Sequence, residues 1–155
     1  MKAELSYKEL IDLYQTKSQS LLKLFASLHD SQEIYQKIIA LGQTLPPFPE
    51  HFKVEKNLVQ GCQSEVYLVS ELSADGKIFF HIHSEALISS GLAALLLAIY
   101  SDEPVGLIVL CPPRFIEELG LSKSLSPRRS NGLASIYSRM KKEATELYIQ
   151  KQNKQ

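Results

Sequence analysis

The sequence predicts an α+β fold, a small antiparallel three-stranded sheet packed against helices. Two observations carry that reading. Residues 65–83 alternate apolar and polar side chains on either side of Asp75-Gly76, a strong hairpin turn signal. Before residue 45 and after residue 84, apolar side chains recur instead at spacings of three and four, the helical period. Helices, then a short sheet, then helices, with no internal repeat or linker, make a single domain over residues 1–155.

The first helix opens at Ser6-Tyr7-Lys8-Glu9, a capping box in which Ser6 and Glu9 each satisfy an orphan backbone donor. Leu10, Leu13 and Tyr14 share one face. The polar residues 16–20 read as a break, which leaves residues 6–16 as an extra N-terminal helix. Leu21, Leu22, Leu24, Phe25 and Leu28 then give a second apolar stripe. Asp30-Ser31-Gln32-Glu33 caps another helix, with Ile34, Ile38 and Leu41 on one face and Gly42 as its stop. Leu45-Pro46-Pro47-Phe48-Pro49 carries three prolines within four residues, which favours an extended segment. Such a segment either lies across the domain surface or serves a proline-reading partner.

Residues 58–60 read as a short strand leading into Gly61-Cys62. In residues 65–72, Val66 and Leu68 face one side and Tyr67 and Val69 the other. Residues 77–83 return, with Ile78, Phe80 and Ile82 opposite Phe79, His81 and His83. Ser84 reads as the cap of the next helix, with Glu85 in its first turn, where a negative charge suits the helix dipole. Residues 86–100 are apolar on nearly every side, the pattern of a helix buried at the domain centre. Gly91 inside it costs about 1 kcal/mol relative to alanine, which implies close packing against the sheet.

Asp102-Glu103-Pro104 reads as the opening of a helix with residues 105–110 as its body, ended by Cys111-Pro112-Pro113. Phe115, Ile116 and Leu119 form a short helix closed by Gly120. Ser126-Pro127 is an N-cap followed by proline at the first helical position. The last helix places Leu133, Ile136, Tyr137, Met140, Ala144, Leu147 and Tyr148 on one face, and its polar tail, residues 151–155, is expected to fray.

Composition excludes several classes. At 155 residues the chain buries roughly two-thirds of its unfolded surface, so folding requires neither metal nor disulfide. Lys plus Arg and Asp plus Glu balance at 17 each, without the basic excess of a general nucleic-acid binder. The longest apolar run, residues 91–100, is about half of a membrane span. The first residues lack an apolar run of signal-peptide length, and the two cysteines do not make a disulfide framework. The expectation is a cytoplasmic protein with no membrane or nucleic-acid partner.

Few groups carry chemistry. Cys62 follows a glycine between two strand-like runs. It reads either as a buried small hydrophobe or as a reactive thiol on an accessible turn with free backbone N–H groups. Cys111, between a helix end and two prolines, has nothing near it that would activate a thiol. His81 and His83 face one side of a strand, but with the two cysteines they match no standard zinc spacing, and a Cys-His dyad lacks an orienting third residue. Arg128 and Arg129 follow the Ser126-Pro127 cap, with Lys123 near. Cations at a helix N-terminus oppose the dipole, so the pair points to an anionic partner or a solvated helix start.

Several separate stretches together resemble the SufE-like sulfur-acceptor family, the partners of cysteine desulfurases in iron–sulfur cluster biogenesis. They are Val59-Gln60-Gly61-Cys62-Gln63-Ser64-Glu65-Val66-Tyr67, then Ile39-Ala40-Leu41-Gly42-Gln43-Thr44-Leu45-Pro46 upstream. Downstream come His83-Ser84-Glu85-Ala86 with Ser90-Gly91-Leu92, and Leu125-Ser126-Pro127-Arg128-Arg129-Ser130-Asn131-Gly132-Leu133. The likeness runs over about residues 21–150.

The resemblance implies a fold similar to SufE and to IscU-type scaffolds. It implies that Cys62 accepts sulfane sulfur as a persulfide, that Arg129 supports the cysteine loop or its thiolate, and that Glu85, where the family usually has aspartate, lies near the loop. It further implies a desulfurase of SufS or CsdA type as donor and activation target, and a downstream iron–sulfur scaffold as recipient. It implies no cofactor on this chain, because the pyridoxal phosphate belongs to the desulfurase, and no stand-alone turnover. The alternative is an iron–sulfur or metal scaffold of IscU type. A Cys-His hydrolase is a third reading.

Overall fold

The computed structural model describes residues 4–121 and 125–154. Helix α1 spans Tyr7–Phe25, and Ser6 caps it by accepting the Glu9 N–H at 3.1 Å. The expected break at residues 16–20 does not occur. Ser18 and Ser20 donate to the carbonyls of Gln15 and Thr16 at 3.2 and 3.1 Å, so the hydroxyls are satisfied within the helix. The extra N-terminal helix and the stripe after it are therefore one element. Helix α2, Ser31–Gly42, starts as the sequence reads, with Asp30 accepting from Glu33 N–H. Glu33 accepts in return from His29 N–H at 2.8 Å, a capping box displaced by one residue.

The proline segment crosses to the sheet, where Phe48 is buried and stacks on the His83 ring at 5.8 Å. Two single 3-10 turns follow, Glu50–Phe52 and Glu55–Asn57. Strands β1, Val66–Leu72, and β2, Lys77–Ser84, pair antiparallel from Val66 opposite Ser84 to Leu72 opposite Ile78. Val66 and Leu68, with Ile78, Phe80 and Ile82, face the core, as the alternation requires.

The third strand is not where the sequence pattern puts it. Residues 58–60 make only a bridge, Leu58 opposite Tyr67, because Gly61 at φ +91° turns the chain away at once. β3 is Glu103–Pro104, paired with Ile78 and Lys77. Asp102 adopts φ +62°, a left-handed turn that aspartate tolerates, and lays these residues along β2 before helix α4, Val105–Leu110, begins. Pro104 sits at the sheet edge, where its missing N–H leaves no ladder bond unmade.

Ser84 likewise ends β2 and does not cap a helix. Its hydroxyl accepts from Ala86 N–H at 3.2 Å and its carbonyl from the Ser90 hydroxyl at 2.7 Å, which shapes the turn into helix α3, Leu87–Tyr100. Glu85 lies in that turn, outside the helix. α3 is the centre of the molecule, with Leu95, Leu96, Ile99 and Tyr100 fully buried among α1, α2, β2 and the last helix. Helix α5 is Phe115–Glu118. Helix α6, Pro127–Asn153, is capped by Ser126 and buries Leu133, Ile136, Met140 and Ala144. Its last turn is tied down, since the Lys151 ammonium donates to the Ala74 carbonyl at 2.9 Å, so the expected fraying does not begin at residue 151. Lys123 and Gln155 lie outside the described residues.

Gly91 does mark a close approach, but to helix α2. A Cβ there would overlap the Ile38 carbonyl oxygen, well inside van der Waals contact distance. Gly42 faces the same crossing, its missing Cβ only 2.7 Å from Gly91 N. Replacing Gly91 by alanine gains about 1 kcal/mol of helix propensity and forces two backbones apart. We expect Gly91→Ala to lose about 3 kcal/mol net, a thermal midpoint roughly 10 °C lower. A midpoint at or above wild type would show that the crossing has room.

Candidate functional site

The cysteine loop leaves the Leu58 bridge, turns at Gly61 and rejoins the sheet at β1. Val59 is buried and donates to the Val66 carbonyl at 2.8 Å, so the two limbs are joined at the base. Beyond that point the loop lies on the first turns of α6. A Cβ at Gly61 would stand 2.5 Å from Ser135 Oγ, and the positive φ adds strain for any other residue. Cys62 Sγ donates to the Gly132 carbonyl at 3.6 Å, a weak bond. Ser64 and Ser89 hydroxyls meet at 2.8 Å and tether the loop to α3.

Cys62 is half-buried at a cavity of about 490 Å³. Ile39, Leu92, Leu133 and Ile136 give this cavity an apolar wall, and Arg128 and Arg129 line it as well. Burial alone pushes the Cys62 thiol above the ordinary cysteine value, because a thiolate loses water there. The nearby cations do not offset this in the structure as it stands. Arg129 instead places its guanidinium 6.0 Å from the centre of the Tyr35 ring, at the outer limit of a cation–π contact.

The sequence-predicted residues are thus partly assembled. Cys62 and Arg129 share one cavity, and Arg128 stands with them. Glu85 is exposed and turns to β2 instead of the loop. It pairs with His83 Nε2 at 2.8 Å, while its chain neighbours Ala86 and Leu87 line the cavity. His81 lies 3.8 Å from Glu71. Among the described residues no histidine lines the Cys62 cavity, and no group of three or more His, Cys, Asp or Glu is placed to hold a metal ion. Cys111 is buried elsewhere, with Sγ 3.9 Å from the Leu10 carbonyl. Among the described residues no helix is long and apolar enough to cross a membrane.

Sequence reasoning misses a cluster at the base of the loop. Arg139 of α6 donates to the Leu58 carbonyl at 3.0 Å and the Lys56 carbonyl at 2.7 Å, and its Nε donates to Glu143 Oε2. Glu143 Oε1 accepts from Ser70 of β1 at 2.7 Å. The available signal is an oppositely charged pair four residues apart beside the buried stripe of α6.

Comparison with known proteins gives a consistent result. Residues 19–144 match the family model described as "SufE: Fe-S metabolism associated domain". The chain is 34% identical over 146 residues to "SufE-like protein 1, chloroplastic/mitochondrial" of Arabidopsis thaliana, a match that covers 93% of this chain but 39% of the plant protein. It is 35% identical over 136 residues to an uncharacterized SufE-like protein of Rhizobium etli, covering 85% of this chain and 92% of that one. The solution structure of a hypothetical protein from Thermus thermophilus superposes with a TM-score of 0.70 at 25% identity, over 84% of this chain and 94% of the other.

The burial of Cys62 has a measurable consequence. A raised pKa means less thiolate at every pH below it and slower attack on iodoacetamide. Followed by peptide mapping, alkylation of Cys62 in the free chain should rise with pH to a midpoint above that of a cysteine in an unstructured peptide. A midpoint at or below the peptide's would mean that an arginine reaches the thiolate after all.

Proposed function

The chain belongs to the SufE family, and from that premise we propose that it carries sulfur, taking it as a persulfide on Cys62 from a cysteine desulfurase. The observation that carries this reading is a thiol held at a cavity by one weak bond to the Gly132 carbonyl, with Arg128 and Arg129 on the same cavity. Such a thiol is sheltered at rest and released at small cost.

The exchange balances without oxidant or reductant. Cys62 thiolate attacks the outer sulfur of the donor persulfide, a new S–S bond forms, and the donor's S–S bond breaks. The donor cysteine leaves as thiolate and takes up the proton that Cys62 gave. Inside the cavity Cys62 is protonated and slow. Swung out toward the donor, it escapes the desolvation that raises its pKa, and the thiolate fraction increases. Arg129 supports the loop or the thiolate as the sulfur moves. Glu85, in the turn into α3, belongs to the face that a donor meets and takes no part in the bond exchange. The chain thereby stimulates the desulfurase, turns over nothing alone and passes sulfur on to iron–sulfur cluster assembly. Both cysteines are free, the form that thiols keep in a reducing compartment such as the cytosol.

The experiment is incubation with a SufS- or CsdA-type desulfurase and cysteine, followed by mass spectrometry of the intact chain and its peptides. One added sulfur on Cys62, absent from Cys62→Ser, is the expected result. Arg129→Ala should slow acceptance on the order of tenfold, the effect of one lost charge-assisted contact. A Cys62→Ser chain that still gains sulfur would overturn the reading, and iron or zinc retained on purification would favour a scaffold instead.

A further inference from the structure

We propose that Arg139 is a positioning residue for Cys62: its guanidinium pins the incoming limb of the cysteine loop to α6, so that only residues 60–64 swing. The proposal takes from the sulfur-carrier reading only that Cys62 must move.

The contacts along the loop are of two kinds. At the tip they are neutral: the weak 3.6 Å thiol–carbonyl bond of Cys62 and the 2.8 Å hydroxyl pair of Ser64 and Ser89. At the base they are charge-assisted, and those to Leu58 and Glu143 are part-buried. Arg139 uses all three of its nitrogens there, one on Leu58, one on Lys56 and one on Glu143. Charge-assisted bonds are roughly twice as strong as neutral ones. Glu143 carries the restraint further, because its second oxygen holds Ser70 in β1. Both limbs of the loop are thereby referred to one helix, the incoming limb through Arg139 and the outgoing strand through Glu143.

This division sets where the chain bends. Val59 remains in the core with its N–H on Val66. Gly61, at φ +91°, is the first residue beyond the clamp with wide backbone freedom. The tip can leave α6 while the base stays, and Cys62 returns to the same place each time. Lysine cannot replace arginine in this arrangement, since one ammonium does not span two carbonyls and a carboxylate as a planar fork does.

Cys111 supplies an internal control. It is buried far along the chain, in contact with α1, so its alkylation reports wider opening of the fold. The experiment compares wild type, Arg139→Ala and Arg139→Lys by iodoacetamide labelling, reading Cys62 and Cys111 separately by peptide mapping across pH. Arg139→Ala should speed Cys62 labelling about tenfold and leave Cys111 within about twofold, as expected when charge-assisted bonds to one loop are lost. The Cys62 midpoint should also fall toward that of an unstructured peptide, because the thiol spends more time in water. Arg139→Lys should show the same split at about threefold, and it carries the test should the alanine variant not fold. Unchanged Cys62 labelling would overturn the proposal, and so would Cys62 and Cys111 accelerating in step. No donor takes part, so this outcome and that of the sulfur-acceptance experiment fail independently.

Discussion

The backbone contact between α2 and α3 is the constraint on which the rest is built. Gly42 and Gly91 face each other across that crossing, and neither has room for a Cβ. The two helices consequently sit closer than side-chain interdigitation permits. This depth lets α3 bury Leu95, Leu96, Ile99 and Tyr100 completely, and those residues are what the sheet and α1 pack upon. The same crossing builds two walls of the Cys62 cavity, Ile39 from α2 and Leu92 from α3. The site is a by-product of how the core closes.

α6 completes the site from the other side, with two faces at different tasks. Leu133, Ile136, Met140 and Ala144 point into the core at spacings of three and four. Gly132, Ser135, Arg139 and Glu143 recur at the same spacing one position away and meet the cysteine loop and β1. One helix therefore stabilises the fold and sets the resting place of the thiol. A loop resting on other loops would hold it less precisely.

Much of this is legible in the sequence alone. The hairpin at Asp75-Gly76, the buried helix and the caps at Ser6, Asp30 and Ser126 follow from period and capping chemistry, which are local. The mismatches are also local in origin. The polar run at residues 16–20 reads as a break only if its hydroxyls are assumed to seek water, and they bond back into α1. Glu103-Pro104 reads as a helix start because proline favours that position, yet its pairing with Lys77 and Ile78 joins residues distant in sequence. Gly91 signals a close contact, and only the fold reveals that α2 supplies it. At the site, Cys62 and Arg129 emerge through the family resemblance, while Arg139 does not, because its partners are mostly carbonyls. Backbone acceptors have no residue type, so no pattern of side chains reveals them.

The electrostatics of the cavity lead to a final step. Arg128 and Arg129 stand at the N-terminus of a 27-residue helix, where the dipole is unfavourable to cations. Among the described residues neither forms an ion pair. Beside them sits a thiol that burial keeps neutral. With Cys62 protonated, the cations receive no compensation from the site they line. An anionic sulfur at the cavity mouth would change that balance, because the opposite charges would offset part of the desolvation cost. On the sulfur-carrier reading, the cavity therefore discriminates between two states of one side chain. The protonated thiol is held by the Gly132 carbonyl, to which it can donate. An anion has no proton for that carbonyl and is repelled by its lone pairs, so it turns toward the arginines or leaves with the loop. Once the sulfur is anionic the Gly132 carbonyl no longer draws the tip back, while the contacts at the base, which involve no thiol, are unaffected.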